Sequence, residues 1–184
     1  QLSKFDTEKF MKTVLVPIAP GFEEIETITV VDILRRAGAR VTLAGTVPGI
    51  LKGSRNIKLE PDEILDNIGE KEFDLICIPG GQPGTDNLKK DARIEKILKR
   101  MQNQGKYIAA ICAAPTILKK AGILKDKSMT CHPSVQSDFD WYVKDRVVVD
   151  EKVITSQSPG TAMEFSLKLV EILFGDDRLK KVND

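Results

Sequence analysis

The sequence predicts an α/β fold, doubly wound, with a mostly parallel sheet and helices on both faces. Three observations carry that prediction. Short runs rich in Val, Ile and Leu alternate with longer segments of helical periodicity. The strand runs are apolar almost throughout, as in strands covered on both faces. No internal repeat, low-complexity tract or long linker interrupts the alternation.

The elements follow in chain order. Thr13–Ile18 reads as the first buried strand, and residues 23–37 as a helix that stops at Gly38. Residues 40–44 are a second strand, 62–68 a short helix and 74–78 a third buried strand. Over residues 91–104, Ile94, Ile97, Leu98 and Met101 have the spacing of one helix face. Tyr107–Ile111 is another apolar strand, and residues 113–121 form a helix closed by Gly122. Residues 127–131, 146–149 and Val153–Ser156 read as short strands. A long helix starts near Thr161, where Thr161 and Glu164 have capping-box spacing and Ala162, Phe165, Leu169 and Ile172 line one face.

Composition narrows the function. A chain of 184 residues fits one domain, expected over residues 11–184, with a core that needs no metal or disulfide. Residues 1–10 are polar and precede Met11, and are expected to be an extension or tag remnant. Lys plus Arg is 28 against 27 for Asp plus Glu, so the basic stripe of a nucleic-acid binder is missing and no nucleic-acid partner is expected. No run of about 18 apolar residues exists, so no membrane span is expected. Three cysteines without CxxC spacing argue against a disulfide framework and for a reducing, cytoplasmic setting. The single histidine excludes a His-rich zinc site; no metal or cofactor is expected.

In an open parallel sheet, ligands collect at the carboxyl ends of the strands. The first strand is followed by Gly21-Phe-Glu-Glu-Ile-Glu26, the third by Pro79-Gly-Gly-Gln-Pro-Gly84, the strand ending at Ile111 by Cys112-Ala-Ala-Pro115, and the next by His132. Cys112 stands where a strand turns directly into a helix, the geometry of a nucleophile elbow, and the helix N-terminus is expected to lower its thiol's pKa. Cys77, within an apolar strand, reads as packing; Cys131 is the rival nucleophile. Gly80 and Gly81 let a backbone approach a ligand with N–H groups facing an oxyanion, or form a plain turn. Most of Glu23, Glu24 and Glu26 are expected to be solvated first-turn residues. Glu26, with Ile25 and Ile28 facing the protein, is the one expected to be partly buried. His132 reads equally as a hydrogen-bonded loop residue or as a general acid/base.

The segments GFEEIE, RRAGARV, IPGG, AAICAAP, CHPS and SPGTAMEF, in this order and spacing, resemble the ThiJ/PfpI superfamily. The similarity runs from Met11 to about Gly175 and is nearest to the branch of the parkinsonism-associated protein, described as glyoxalase III and protein deglycase. The resemblance implies a flavodoxin-like sandwich, a homodimer paired through its first helix, Cys112 as an oxidisable nucleophile, Glu26 as the acid contacting it, and His132 nearby. It also implies that the Gly81 and Ala113 amides lie around the sulfur and that Arg55 approaches the site in the dimer. Two departures stand out. Ala113 replaces the histidine that follows the nucleophile in the protease-like branch, which argues against peptidase activity. SQSPG at 156–160 replaces SRGPG, removing a cation from the expected pocket. The segment after Gly175 is short, so a terminal helix that covers the site in relatives is expected to be reduced.

The expected function is a glyoxalase or deglycase acting on methylglyoxal-type 2-oxoaldehydes, or on proteins carrying early glycation adducts, through Cys112, Glu26 and His132, with Gly80, Gly81, Ala113 and Arg55 binding substrate or oxyanion. The alternative is a redox sensor or holdase chaperone that works by oxidation of Cys112. A third reading is an idle binding protein that kept the fold.

Overall fold

The computed structural model describes residues 11–184; the extension expected over 1–10 lies outside the described residues. β1 (Thr13–Ile18), β2 (Arg40–Gly45), β5 (Glu63–Ile64), β6 (Leu75–Ile78), β7 (Tyr107–Ile111), β8 (Val147–Asp150) and β9 (Val153–Ser156) form one sheet in the order β5-β2-β1-β6-β7-β9-β8. Every pairing is parallel except β8 with β9, so the sheet is mostly parallel as predicted. A two-stranded hairpin, β3 (Leu51–Lys52) with β4 (Lys58–Leu59), stands apart from it.

Alternate strand residues feed two cores. Val14, Val16 and Ile18 of β1 pack with Val30 and Leu34 of α1 (Glu24–Arg36) and with Phe165 and Leu169 of α5 (Ala162–Phe174). On the opposite face, Leu15, Ile76, Ile78 and Ile108 meet Ile94, Ile97, Leu98 and Met101 of α3 (Ala92–Asn103) and Ile117 and Leu118 of α4 (Pro115–Lys120). Full burial of a side chain such as Phe165 contributes about 2–3 kcal/mol.

Several expectations are corrected. Residues 62–68 are not a helix: Glu63 and Ile64 pair with β2, and a single 3-10 turn, Leu65–Asn67, follows. Residues 127–131 do not join the sheet, and side chains take two of their backbone N–H groups. The Ser128 N–H donates to Asp150 Oδ2 at 2.7 Å, and that of Thr130 to Thr155 Oγ1 at 2.9 Å. The Thr161–Glu164 capping box does not form: Thr161 Oγ1 accepts the Ser158 N–H at 3.1 Å, and Glu164 pairs with Arg146 at 2.6 Å. A helix the pattern did not reveal, α2 (Gly84–Lys90), buries only Gly84, Thr85 and Leu88, too little for an apolar stripe. The C-terminus forms α6 (Asp176–Asn183), and Arg178 caps the far end of α1 through the Ala37 carbonyl. Ile25 and Ile28 do not face the protein; they are 56% and 45% exposed. Position explains this: they lie on the outer side of α1, while Val30, Ile33 and Leu34 fill its inner side.

Candidate active site

From β1 the chain builds outward to β2 and β5, then returns to the other side of β1 to lay down β6, β7 and β9. The order reverses between β1 and β6, and their carboxyl ends open the crevice where such sheets bind ligands. Glu26 follows β1, Gly80 and Gly81 follow β6, and Cys112 follows the adjacent β7.

Cys112 is half-buried, with φ at 67°, in the left-handed region that non-glycine residues rarely enter. Its neighbours enforce this. The Cys112 N–H donates to the Ser156 carbonyl at 3.0 Å, and its own carbonyl accepts the His132 N–H at 2.8 Å. Small Ala113 and Ala114 complete the turn, and Pro115 opens α4 where its missing N–H leaves nothing unsatisfied. The nucleophile-elbow shape expected from sequence is present.

Glu26 is fully buried in the first turn of α1. Its Oε1 accepts the Gly80 N–H at 2.9 Å; Oε2 finds no nitrogen or oxygen donor, and the Cys112 thiol is the side chain within hydrogen-bonding reach. Burial pushes the Glu26 acid up to about 7, with the charge of Glu23 adding and the Gly80 N–H and Cys112 opposing. The same crowding acts on sulfur. Burial and then the Glu26 carboxylate push the Cys112 thiol up, against the pull of the Ala113 and Gly81 N–H groups. This corrects the expectation of a thiol lowered by a helix N-terminus: α4 has only six residues and begins three positions after Cys112. The two contributions from Glu26 last only while that carboxyl is charged. Carboxyl and thiol therefore titrate as one coupled pair, in which a single proton can sit on either group.

The other expected residues fall as follows. Gly81, at φ 98°, turns its N–H to the sulfur, as does Ala113. The Gly80 N–H is committed to Glu26, and a Cβ at Gly80 would stand 2.7 Å from Cys112 Cβ. His132 touches Cys112 through its main chain. Its Nδ1 accepts the Ser134 N–H at 3.1 Å and lies 2.8 Å from the Ser134 hydroxyl, an acceptor role that leaves the ring N–H of the uncharged tautomer to Nε2. Arg55 is exposed, on the loop joining β3 to β4. Cys77 and Cys131 are buried; burial pushes both thiols up, that of Cys131 to about 11. Among the described residues no group of three or more His, Cys, Asp or Glu is placed to hold a metal, and no helix is long and apolar enough to cross a membrane.

Sequence reasoning missed Glu24. It is 5% exposed, and its carboxylate binds the loop at 53–57, a contact no local pattern announces.

Similarity to known proteins agrees with this geometry. The DJ-1/PfpI family profile matches residues 12–172. Over 176 residues the chain is 42% identical to protein dj-1beta of Drosophila melanogaster, covering 93% of this chain and 94% of that one. It is 40% identical to the glutathione-independent glyoxalase DJR-1.2 of Caenorhabditis elegans, with 91% of each chain covered. In DJ-1 homolog A of Arabidopsis thaliana, 43% identical, the chain spans only 43% of the relative's length. The structure of oxidized Toxoplasma gondii DJ-1 superposes with a TM-score of 0.90 at 38% identity, covering 93% of this chain and 95% of that one. The chain is thus a member of the DJ-1/PfpI family.

Proposed function

We propose that the protein is a glyoxalase that converts small 2-oxoaldehydes such as methylglyoxal into 2-hydroxy acids, using Cys112 as nucleophile and neither glutathione nor a metal. The observation that carries this reading is the contact between Cys112 and a buried carboxyl titrating at about 7, with two main-chain N–H donors on the sulfur. The 40% identity to a relative named as a glutathione-independent glyoxalase supports it.

The reaction begins from the tautomer with the shared proton on Glu26. The Cys112 thiolate adds to the aldehyde carbon, and the new oxyanion takes the Glu26 proton to give a hemithioacetal. The Gly81 and Ala113 N–H groups lie beside this centre. Glu26, now a carboxylate, removes the hydrogen of that carbon as a proton. The electron pair forms a carbon–carbon double bond, and the charge moves to the former ketone oxygen, for which the His132 Nε2–H is the donor. Glu26 returns its proton to the second carbon while the hydroxyl proton of the first moves to the second oxygen, leaving a thioester. One carbon is oxidised and its neighbour reduced, so no external oxidant is needed. Water cleaves the thioester, releasing the hydroxy acid and restoring the shared proton. The same attack on early glycation adducts makes the protein a deglycase.

The reading includes a homodimer. Ile25, Ile28 and Met163 expose large apolar area, and a groove of about 470 Å³ among α1, α5 and α6 is lined by Ile28, Met163, Leu167 and Val182, with Asp32 and Arg36 beside them. A second copy of this chain, paired through α1, is the occupant we assign to it. Three free thiols fit a reducing compartment such as the cytoplasm.

One observation favours redox sensing as a second reading: Cys112 alone of the three cysteines is not fully buried, and protonated Glu26 can donate to an oxidised sulfur. Steady-state conversion of methylglyoxal by glutathione-free, chelator-treated protein decides between them. Turnover supports the glyoxalase; its absence, with stoichiometric oxidation of Cys112 by peroxide, replaces it with the sensor.

A further inference from the structure

Glu23 is half-buried at the start of α1, and hydrogen bonds tie it to the residues around the thiol. Its N–H donates to the Gly80 carbonyl at 2.9 Å, and the Gly80 N–H in turn donates to Glu26 Oε1 at 2.9 Å. Its Oε2 accepts the Glu26 N–H at 2.7 Å, a side-chain cap on the helix. Its carbonyl accepts the Thr27 N–H at 3.1 Å and the Thr27 hydroxyl at 2.8 Å. Gly81 lies so close that a Cβ there would stand 2.4 Å from the Glu23 nitrogen. Main chain and side chain are thus both committed to the Gly80–Gly81 turn and the first turn of α1.

Ser, Thr and Asn cap helices well without a charge. A glutamate here adds what a cap does not need: a negative charge held 2.7 Å from the main chain of a buried acid. Like charges disfavour each other's ionised form, the more so where water is scarce. Among the described residues no lysine or arginine pairs with Glu23 to cancel that charge. The groups that face Glu26 from β6 and β7 bring no cation either: they are the Cys77 and Cys112 thiols and the Gly80 N–H. The charge of Glu23 acts on the Glu26 carboxyl, whereas Cys112 answers to its burial, to Glu26 and to the Ala113 and Gly81 N–H groups. The two partners of the pair therefore feel Glu23 unequally.

We propose that Glu23 is a positioning residue acting through Glu26: its carboxylate, bonded to the Glu26 N–H, shifts the pair's single proton towards Glu26 and so raises the share of molecules whose sulfur is the attacking thiolate. This deepens the proposed function and rests on its assignment of Cys112 as nucleophile and Glu26 as proton carrier.

The test follows two quantities across neutral pH in full-length protein at low ionic strength. One is the infrared carbonyl band of protonated Glu26, identified by its loss in Glu26→Gln. The other is the rate at which iodoacetamide, an uncharged reagent, alkylates Cys112, followed by peptide mass. Glu23→Gln keeps an acceptor for the Glu26 N–H and removes the charge. Its Glu26 band should titrate about 0.3–1 pH unit lower, and its alkylation at about pH 7 should slow about two- to tenfold, the range for a partly screened neighbouring charge. Glu23→Asp keeps both charge and cap, and should hold both readouts near wild type. If Glu23→Gln folds poorly, high salt replaces it: screening should move the wild-type band in the same direction, and an unmoved band would overturn the inference. So would a Glu23→Gln titration that matches wild type, or one that Glu23→Asp reproduces. Failure of wild-type protein to turn over methylglyoxal would sink the glyoxalase reading and leave this titration intact.

Discussion

Replacing Glu26 with Gln should stabilise the protein in mild alkali while destroying its chemistry. Glu26 is fully buried, and its acid rises from 4.5 to about 7 on folding. Because the native state holds the proton more tightly than the unfolded chain, stability is intact below about 4.5 and is lost as pH rises towards 7. Weighting both states with these two values, wild type should lose roughly 3 kcal/mol relative to the Gln variant between about pH 4.5 and 8. Other titrating groups are common to both proteins and cancel in the difference. Gln keeps an acceptor for the Gly80 N–H and a donor towards sulfur, so packing changes little. Urea unfolding at several pH values measures the stability, and methylglyoxal turnover measures the chemistry. The Gln variant cannot carry a proton between carbons, so kcat should fall about 10²- to 10⁴-fold. Parallel stability curves would refute the buried, neutral carboxyl, and turnover at the wild-type rate would refute the proton shuttle.

Cys112→Ser should abolish turnover with little change in Tm, whereas Cys131→Ser and Cys77→Ser, both in the buried core, should retain turnover and lower Tm. Gly80→Ala places a Cβ 2.7 Å from Cys112 Cβ and 2.9 Å from Glu26 Oε1. It should cost about 1–3 kcal/mol by overpacking and lower kcat more than it raises KM, as thermal melts and initial rates would show. Light scattering should give the dimer mass for wild type, and Ile28→Glu, on the exposed side of α1, should shift it towards the monomer mass. A monomeric wild type would remove the proposed pairing.

The elements that sequence revealed are those whose burial is periodic. Val14, Val16 and Ile18 alternate with Leu15 between two cores, and Ile94, Ile97, Leu98 and Met101 repeat at helix spacing, so β1 and α3 declare themselves. Cys112 was legible because a strand, a thiol, two alanines and a proline in succession leave the chain little choice of turn. What escaped depends on distant partners. Residues 127–131 have a strand's composition, but Asp150 and Thr155 take their backbone donors. Glu24 looks like any first-turn acid until the 53–57 loop folds over it. Ile25 and Ile28 carry the apolar signal of a core, and nothing local says that the fold leaves them exposed. The sign of the Cys112 titration needed the burial of the thiol and then the carboxyl of Glu26 in three dimensions, since adjacency in the chain pointed only to the helix.

The left-handed backbone at Cys112 has a consequence beyond catalysis. An L-residue held there costs about 1–2 kcal/mol, and glycine alone escapes that penalty. Cys112→Gly would relieve the backbone and remove a half-buried thiol in one step. Under selection for folding alone, the position that presents the sulfur is one where loss improves the molecule. The thiol therefore persists only while something is gained by using it, and directed evolution for heat tolerance without an activity screen would erase it.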